Sequence, residues 1–194
     1  MDTVKRRRQP DHVRAALLDA VVQEAVRAGL GSVTVQGVAE RAGVSKGALF
    51  HHFPNRQALL EAAHAEGLAQ FGADIDALMA DDPVPAGRFT RAYVRATFAA
   101  MQVEDRSWAR FSLTAAVEPA FAEQWRQWLG ARLDAAPAEG TDPRLRVARL
   151  AADGYWFQML GGGFGAYDTR GLDGLLACVL GFTHDAPAGE AAHG

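Results

Sequence analysis

Cysteine is almost absent from this 194-residue chain and lysine nearly so: Cys178 stands alone, and of the twenty basic residues only Lys5 and Lys46 are lysines. A single cysteine excludes an intramolecular disulfide and any cysteine-rich zinc site, so nothing in the composition asks for an oxidising compartment. No apolar run approaches the roughly 18 to 20 residues needed to cross a bilayer, and the opening MDTVKRRRQP has no apolar signal region behind it. These absences predict a cytoplasmic protein with no membrane partner. Strand signals are missing too, since β-branched residues are scattered thinly among Ala, Leu, Glu and Arg and never alternate for long. Also lacking are G-x-S-x-G, H-E-x-x-H and P-loop sequences and any prominent spaced carboxylate pair. The sequence therefore nominates no catalytic residue and no cofactor.

Helical periods occupy the whole chain, whose composition of 49% hydrophobic and 22% charged residues is that of one or two modest globular domains. Between Asp11 and Ala28, Val13, Leu17, Val21 and Ala25 recur every fourth residue, and Gly29 is placed to stop the helix. Thr34 is positioned to cap a short helix carrying Val35, Val38, Ala39 and Ala42, which Gly43 ends. Ser45 caps a third helix with Leu49 and Phe53 inward; Pro54 terminates it, and Asn55 caps a long fourth helix to about Ala80. Beyond the break at Asp81 to Pro85, one stripe of Phe89, Tyr93, Ala96 and Ala100 and another of Val94, Phe98 and Met101 predict a helix buried over most of its circumference. A shorter segment runs from Glu104 to Val117. Glu118 and Pro119 then open a helix with Phe121, Trp125, Trp128 and Leu129, and Asp142 and Pro143 open another through Tyr155 and Met159. A glycine-rich turn at Gly161 to Gly165 precedes a last helix with Leu172, Leu175, Leu176, Val179 and Leu180, and residues 185–194 read as a disordered tail. The fold class is all-α.

The net charge of −3 conceals an asymmetry: residues 1–60 hold nine Lys or Arg against five Asp or Glu, and residues 61–194 hold eleven against eighteen. Positive charge gathered at one end of an otherwise acidic chain suits a polyanion, because each neutralised phosphate releases condensed counterions. A solvated, slightly basic face fits the charge equally well.

Two short helices joined around Gly43, with a serine cap directly before the second, make a helix-turn-helix whose second helix is able to enter a major groove. Ser45 leaves the first N–H groups of that helix facing a phosphate. Lys46 adds a flexible positive charge. Gly47 gives up about 1 kcal/mol of helix propensity relative to Ala in exchange for close backbone approach to DNA, or else marks a tight packing spot. Ala48 and Phe50 offer apolar contact to a thymine methyl. Adjacent His51 and His52 point in different directions on a helix and have no carboxylate or cysteine pair nearby, so no metal site is expected.

The stretch TVQGVAERAGVSKGALFHHFPNRQALL, Thr34 to Leu60, resembles the DNA-binding signature of the TetR family of bacterial transcriptional regulators. The resemblance is close over about the first third of the chain; the remaining helices match the family only in number and length. It implies a DNA-binding domain at 1–54 with a flexible basic arm at 1–10, and a helical effector-binding and dimerisation domain at 55–184. The implied protein is a regulator, a repressor in the first instance, that binds a near-palindromic operator as a homodimer through its last two long helices and is released by a small effector. Family members often carry phosphate-contacting tyrosines near Phe50 and His52. This chain departs at both: Phe50 has no hydroxyl, whereas His52 retains a donor. Thr34, Gln36, Ser45, Lys46, Gly47, Ala48, Phe50, His51, His52 and Arg56 are the expected DNA-facing residues, with the Lys5 to Arg8 arm as a further backbone contact or simply solubilising charge.

By the same resemblance, Phe98, Met101, Trp108, Phe111, Trp125, Trp128, Tyr155 and Met159 fall on helices around a central cavity, and so aromatic a lining favours a largely apolar or flat organic effector oriented by a few polar groups such as Tyr155, Glu118 or Asp153. Core packing is the competing use of the same side chains. Asp153 itself reads either as a counter-ion to a cationic ligand or as an ordinary hydrogen-bonded carboxylate, and Cys178 as a small buried hydrophobe. Gly161, Gly163 and Ala166 spell G-x-G-x-x-A, but without a preceding strand the pattern reads as an interhelical turn. The alternative from another class is a helical small-molecule carrier or enzyme in which the N-terminal motif is only a packing unit.

Overall fold

The computed structural model describes residues 2–116, 118–161 and 171–184, and every regular element among them is helical. In chain order they are α1 (Asp2–Ala28), a single 3-10 turn (Leu30–Ser32), α2 (Val35–Arg41), α3 (Lys46–His52), α4 (Arg56–Ala80), α5 (Arg88–Ala100), α6 (Ser107–Ala115), α7 (Pro119–Asp134), α8 (Pro137–Thr141), α9 (Pro143–Gly161) and α10 (Leu172–Gly181). Residues 2–10 continue α1 where the sequence reading expects a flexible arm. The 185–194 tail, and the Gly161–Ala166 pattern beyond its first residue, lie outside the described residues.

The chain divides into two compact units, neither continuous in sequence. The first comprises Met1–Gln70 and Asp105–Gln127 and the second Phe71–Glu104 and Trp128–Gly194. The expected boundary at residue 54 thus falls inside the first unit, because the hydrophobic positions of the helix-turn-helix do not close a core alone. Leu17, Leu18, Val21, Val38, Leu49 and Leu59 share one buried cluster with Phe111 of α6 and Phe121 of α7. A fully buried leucine contributes about 1.5 to 3 kcal/mol relative to one left in water, so the two phenylalanines from distant sequence are structural members of this unit.

In the second unit α5 packs along α9 and α10. As its two apolar stripes foretell, α5 is buried from Phe89 to Phe98 apart from Arg95. The first turn of α5 starts at Gly87, whose φ of +71° and 2.6 Å clearance from the Thr183 carbonyl to an added Cβ admit no other residue without movement. The N–H groups of its second and third residues are capped from elsewhere: Phe89 N and Thr90 N donate to the two carboxylate oxygens of buried Glu139, at 3.0 and 2.8 Å. Glu139 sits on α8, a five-residue helix that the periodicity of the sequence does not disclose. Arg91 is buried and fully engaged, pairing with Asp82 at 2.7 Å and donating to the carbonyls of Ala86, Val84 and Thr183.

Candidate nucleic-acid interface

The turn between α2 and α3 rests on Gly43, at φ +67°, a backbone conformation that L side chains rarely adopt. On either side of it stand two serine or threonine caps. Thr34 Oγ1 accepts from Gly37 N at 3.0 Å at the start of α2, and Ser45 Oγ accepts from Ala48 N at 3.1 Å at the start of α3. Each cap satisfies one orphan donor and is worth about 1 kcal/mol. Leu49 and Phe53 turn inward, fixing which face of α3 remains outside.

That outer face carries Ser45, Lys46, Gly47, Phe50 and His51, all exposed, with Ala48 and His52 half-buried. Thr34 and Gln36 are exposed on the preceding helix, Gln36 donating to Glu40 at 2.5 Å. Phe50 is 44% exposed although large and apolar, and the Lys46 ammonium lies over its ring, 5.8 Å from the centroid. His51 and His52 meet edge to face at 5.6 Å. Gly47 does not occupy a tight packing spot: an added Cβ would meet only Ser45 Oγ, at 3.8 Å. Its lack of a side chain therefore serves nothing inside the protein.

Arg14, Arg27, Arg41 and Arg56 are committed internally. Glu24 takes Arg27 at 2.8 Å and Arg41 at 2.6 Å, which holds its carboxyl below the usual range, and Arg14 pairs with Glu66 at 3.2 Å. Arg56, expected at the phosphate backbone, donates from Nε to the Val33 carbonyl at 2.6 Å and from Nη2 to the Leu30 carbonyl at 2.5 Å. Lys46 has no carboxylate partner among the described residues. No group of described residues suited to hold a metal ion occurs at the histidine pair or elsewhere.

The expected effector residues fall in both units. Phe111 is fully buried in the core of the first unit, Trp108 packs against that core, and Trp125 is half-buried in the same unit. In the second unit, Phe98 stacks on Tyr155 with centroids 4.1 Å apart, Met101 is buried, and Met159 is half-buried. Trp128 packs on Phe71 at 5.6 Å and carries the Arg132 guanidinium over its ring at 5.5 Å. Glu118, named as an orienting group, is exposed. Asp153 is half-buried and accepts a short hydrogen bond from the Tyr93 hydroxyl, a link across 60 residues with no local signature in the sequence. Cys178 is exposed rather than buried. It lies on the outer side of α10, three residues from exposed Leu175 and four from exposed Phe182, while Val179 takes the inward position.

A capped recognition helix with an outward Lys and Gly, mounted on a three-helix core, defines a helix-turn-helix DNA-binding regulator. The family described as "Bacterial regulatory proteins, tetR family" matches residues 17–63, and that described as "Tetracyclin repressor-like, C-terminal domain" matches residues 87–177. The HTH-type transcriptional regulator BetI of Burkholderia mallei (strain NCTC 10229) is 31% identical over 158 residues, covering 75% of this chain and 80% of that protein. The chain belongs to the TetR family, a family of transcriptional regulators rather than enzymes. Among solved structures, a TetR family transcription regulator from Marinobacter aquaeolei VT8 superposes with a TM-score of 0.70 at 16% identity, covering 93% of this chain and all of that one. The multidrug binding protein EbrR, complexed with malachite green, gives 0.69 at 20% identity, covering 89% of this chain and 98% of that one. Both share the fold. No described helix is long and apolar enough to cross a membrane.

Proposed function

We propose that this regulator is a repressor: a homodimer that sets two copies of α3 into successive major grooves of a near-palindromic operator and leaves DNA when a small, largely apolar or aromatic effector binds the second unit. The observation that carries the reading is the outward face of α3, where Lys46 lacks an acidic partner among the described residues and Gly47 has no internal use. In this reading residues 1–54 supply the DNA contacts, and α6 with the first part of α7 supports them.

Dimer formation is supported by α9 and α10. Val147, Leu150 and Phe157 line one side of α9, Leu150 at 59% and Phe157 at 50% exposure, and Leu175 and Phe182 line one side of α10. Apolar faces of this kind mark interaction surfaces, and an isologous pairing matches a two-fold operator. For the effector, Phe98, Met101, Trp128, Tyr155 and Met159 supply apolar and aromatic surface within one unit. That EbrR has been crystallised with malachite green and with ethidium supports flat organic ligands on this fold.

The test is a mobility shift on the DNA flanking the protein's own gene across a salt series. A repressor gives one sequence-preferred complex that weakens steeply with salt and is lost on addition of effector; a carrier gives no sequence preference. Effector coupling of the usual 1 to 3 kcal/mol weakens operator affinity about 5- to 150-fold.

A further inference from the structure

We propose that α3 reads pyrimidines in the major groove by their C5-methyl groups: the Phe50 ring, set beside the gap left by Gly47, seats the methyl of thymine, and that of 5-methylcytosine where this base takes its place. This deepens the DNA reading above and rests on it.

The inference starts from what α3 lacks. Its seven residues, Lys46 to His52, include no Arg, Asn or Gln, the side chains that read purines through paired hydrogen bonds. The polar groups next to it are engaged within the protein. Ser45 Oγ and Thr34 Oγ1 each accept a backbone N–H as helix caps, and Gln36 Nε2 donates to Glu40. Hydrogen-bonding side chains on α3 itself are thus limited to Lys46 and the two histidines of its last turn.

Apolar readout is better provided for. Isolated exposed apolar side chains are common on protein surfaces, and it is the company of Phe50 that distinguishes it. Leu49 and Phe53 are buried, which fixes the rotation of α3 and leaves Phe50, 44% exposed, on the outer face. Gly47 stands three residues before it, hence beside it on that face, and an added Cβ there would meet nothing nearer than Ser45 Oγ at 3.8 Å. A bulky ring next to a missing side chain makes a step in the surface, open to solvent and apolar on one wall. Lys46, four residues before Phe50, holds its ammonium over the ring at 5.8 Å from the centroid, so the same step carries a positive charge suited to a flanking phosphate. Of the groups that distinguish the four bases in the major groove, only the C5-methyl is apolar. A phenyl ring would strip water from the amino and carbonyl groups without replacing it, whereas against the methyl it removes apolar surface from water on both sides.

The test uses duplexes recovered by the full chain from a randomised library, resynthesised with uracil in place of thymine at one symmetric pair of positions at a time. Uracil differs from thymine only in the methyl. At one pair of positions it is expected to weaken binding about fourfold for each half-site, the worth of one buried methyl, or about 15-fold in all. Because no charge is involved, this penalty stays constant across a salt series while the affinity itself falls. Phe50→Ala, with helical content and melting followed in parallel, is expected to bind the thymine and uracil duplexes alike. Phe50→Gln, which keeps a long side chain on the helix surface but presents an amide, is a second variant with the same expected loss. At the same positions a cytosine·guanine pair is expected to bind more weakly than 5-methylcytosine·guanine by the same factor, and both variants to lose that difference. Thymine and uracil bound equally at every position by the natural chain would overturn methyl reading, while a preferred sequence left the operator reading standing. A penalty that survives in both variants would transfer the contact to another residue and overturn the role of Phe50. Absence of any preferred sequence among the recovered duplexes would overturn both readings.

Discussion

Arg56 Nε donates to the carbonyl oxygen of Val33 at 2.6 Å, joining the first turn of α4 to the strand of backbone that leads into α2. With its second bond to Leu30 at 2.5 Å, the guanidinium satisfies two carbonyls of the α1–α2 connection. Removing it at Arg56→Ala strips charged donors from both, and bonds of this kind are worth about 1.5 to 3 kcal/mol each before relaxation and water entry. The expected loss of stability is about 1 to 3 kcal/mol, read as a lower urea midpoint, with Arg56→Lys recovering only part because an ammonium lacks the planar fork. An unchanged midpoint with a reduced salt dependence of DNA binding would assign Arg56 to phosphate instead.

Gly47 separates folding from function. Its missing side chain leaves room inside the protein, the nearest atom to an added Cβ being Ser45 Oγ at 3.8 Å. Gly47→Ala is therefore expected to stabilise the first unit by about 0.5 to 1 kcal/mol through helix propensity. In the proposed reading the same methyl, or more clearly the side chain of Gly47→Leu, is expected to stand between α3 and DNA and to weaken operator binding. Thermal melts and mobility shifts on one preparation read both effects. If both fell together, the glycine would be serving the fold.

In the proposed reading Lys46 contributes charge to the phosphates. Lys46→Ala is expected to weaken binding to all DNA sequences alike and to reduce the magnitude of the salt slope by about one unit. A change in preferred bases with the slope intact would move Lys46 from the phosphates to the base edges.

Local signals in the sequence located what is local in the fold. Thr34, Ser45 and Asn55 announced helix starts because a cap needs only the residues two or three places on, and Asn55 Oδ1 does accept from Ala58 N at 2.8 Å. The inward spacing of Leu49 and Phe53 follows equally from helical period. What escaped was carried by long separations: Arg56 on Leu30 and Val33, Glu139 of the unforeseen α8 capping α5, and Tyr93 on Asp153. Each joins a polar side chain to a group 23 to 60 residues away, so no local pattern announces it. Phe111 illustrates the same limit for apolar residues: the resemblance offered it an effector cavity or core packing as alternatives, and the sequence did not say which core would take it.

His64 is expected to make the stability of the first unit depend on pH. It is buried, lies tilted against the Phe121 ring at 5.0 Å between centroids and shares a 2.6 Å hydrogen bond between Nδ1 and Gln124 Oε1. Burial lowers its affinity for a proton below that of the unfolded imidazole, against a smaller opposing effect of Gln124. The unfolded chain therefore binds more protons in the window below about pH 6.5, and stability that is complete above that value declines as pH falls through the folded range. Denaturant midpoints are expected to drop between pH 7 and pH 5 in the natural chain and to drop less in His64→Gln. Asp76 and Asp82, held low by Arg132 and Arg91, lose their contribution only under more acidic conditions, so the two windows are distinguishable.

The last expectation concerns the exposed sides of α9 and α10. Leu150 is 59% exposed and Phe157 follows seven residues later on the same side, so neither is needed to close the core of its own chain. Substituting them with charge, as in Leu150→Glu together with Phe157→Lys, is expected to shift stability of an isolated chain by no more than about 0.5 kcal/mol per site. In a dimer the effect is different in kind, because the same groups become buried charges without partners, at a cost of several kcal/mol. Light scattering at micromolar concentration should then report a dimer for the natural chain and a monomer for the double variant, with unchanged helical content. Operator affinity should fall with it, since two tethered recognition helices exceed one by roughly a hundredfold or more through effective concentration. A variant that stays dimeric would place the interface on other helices. A monomer that keeps full operator affinity would remove the dimer from the mechanism altogether.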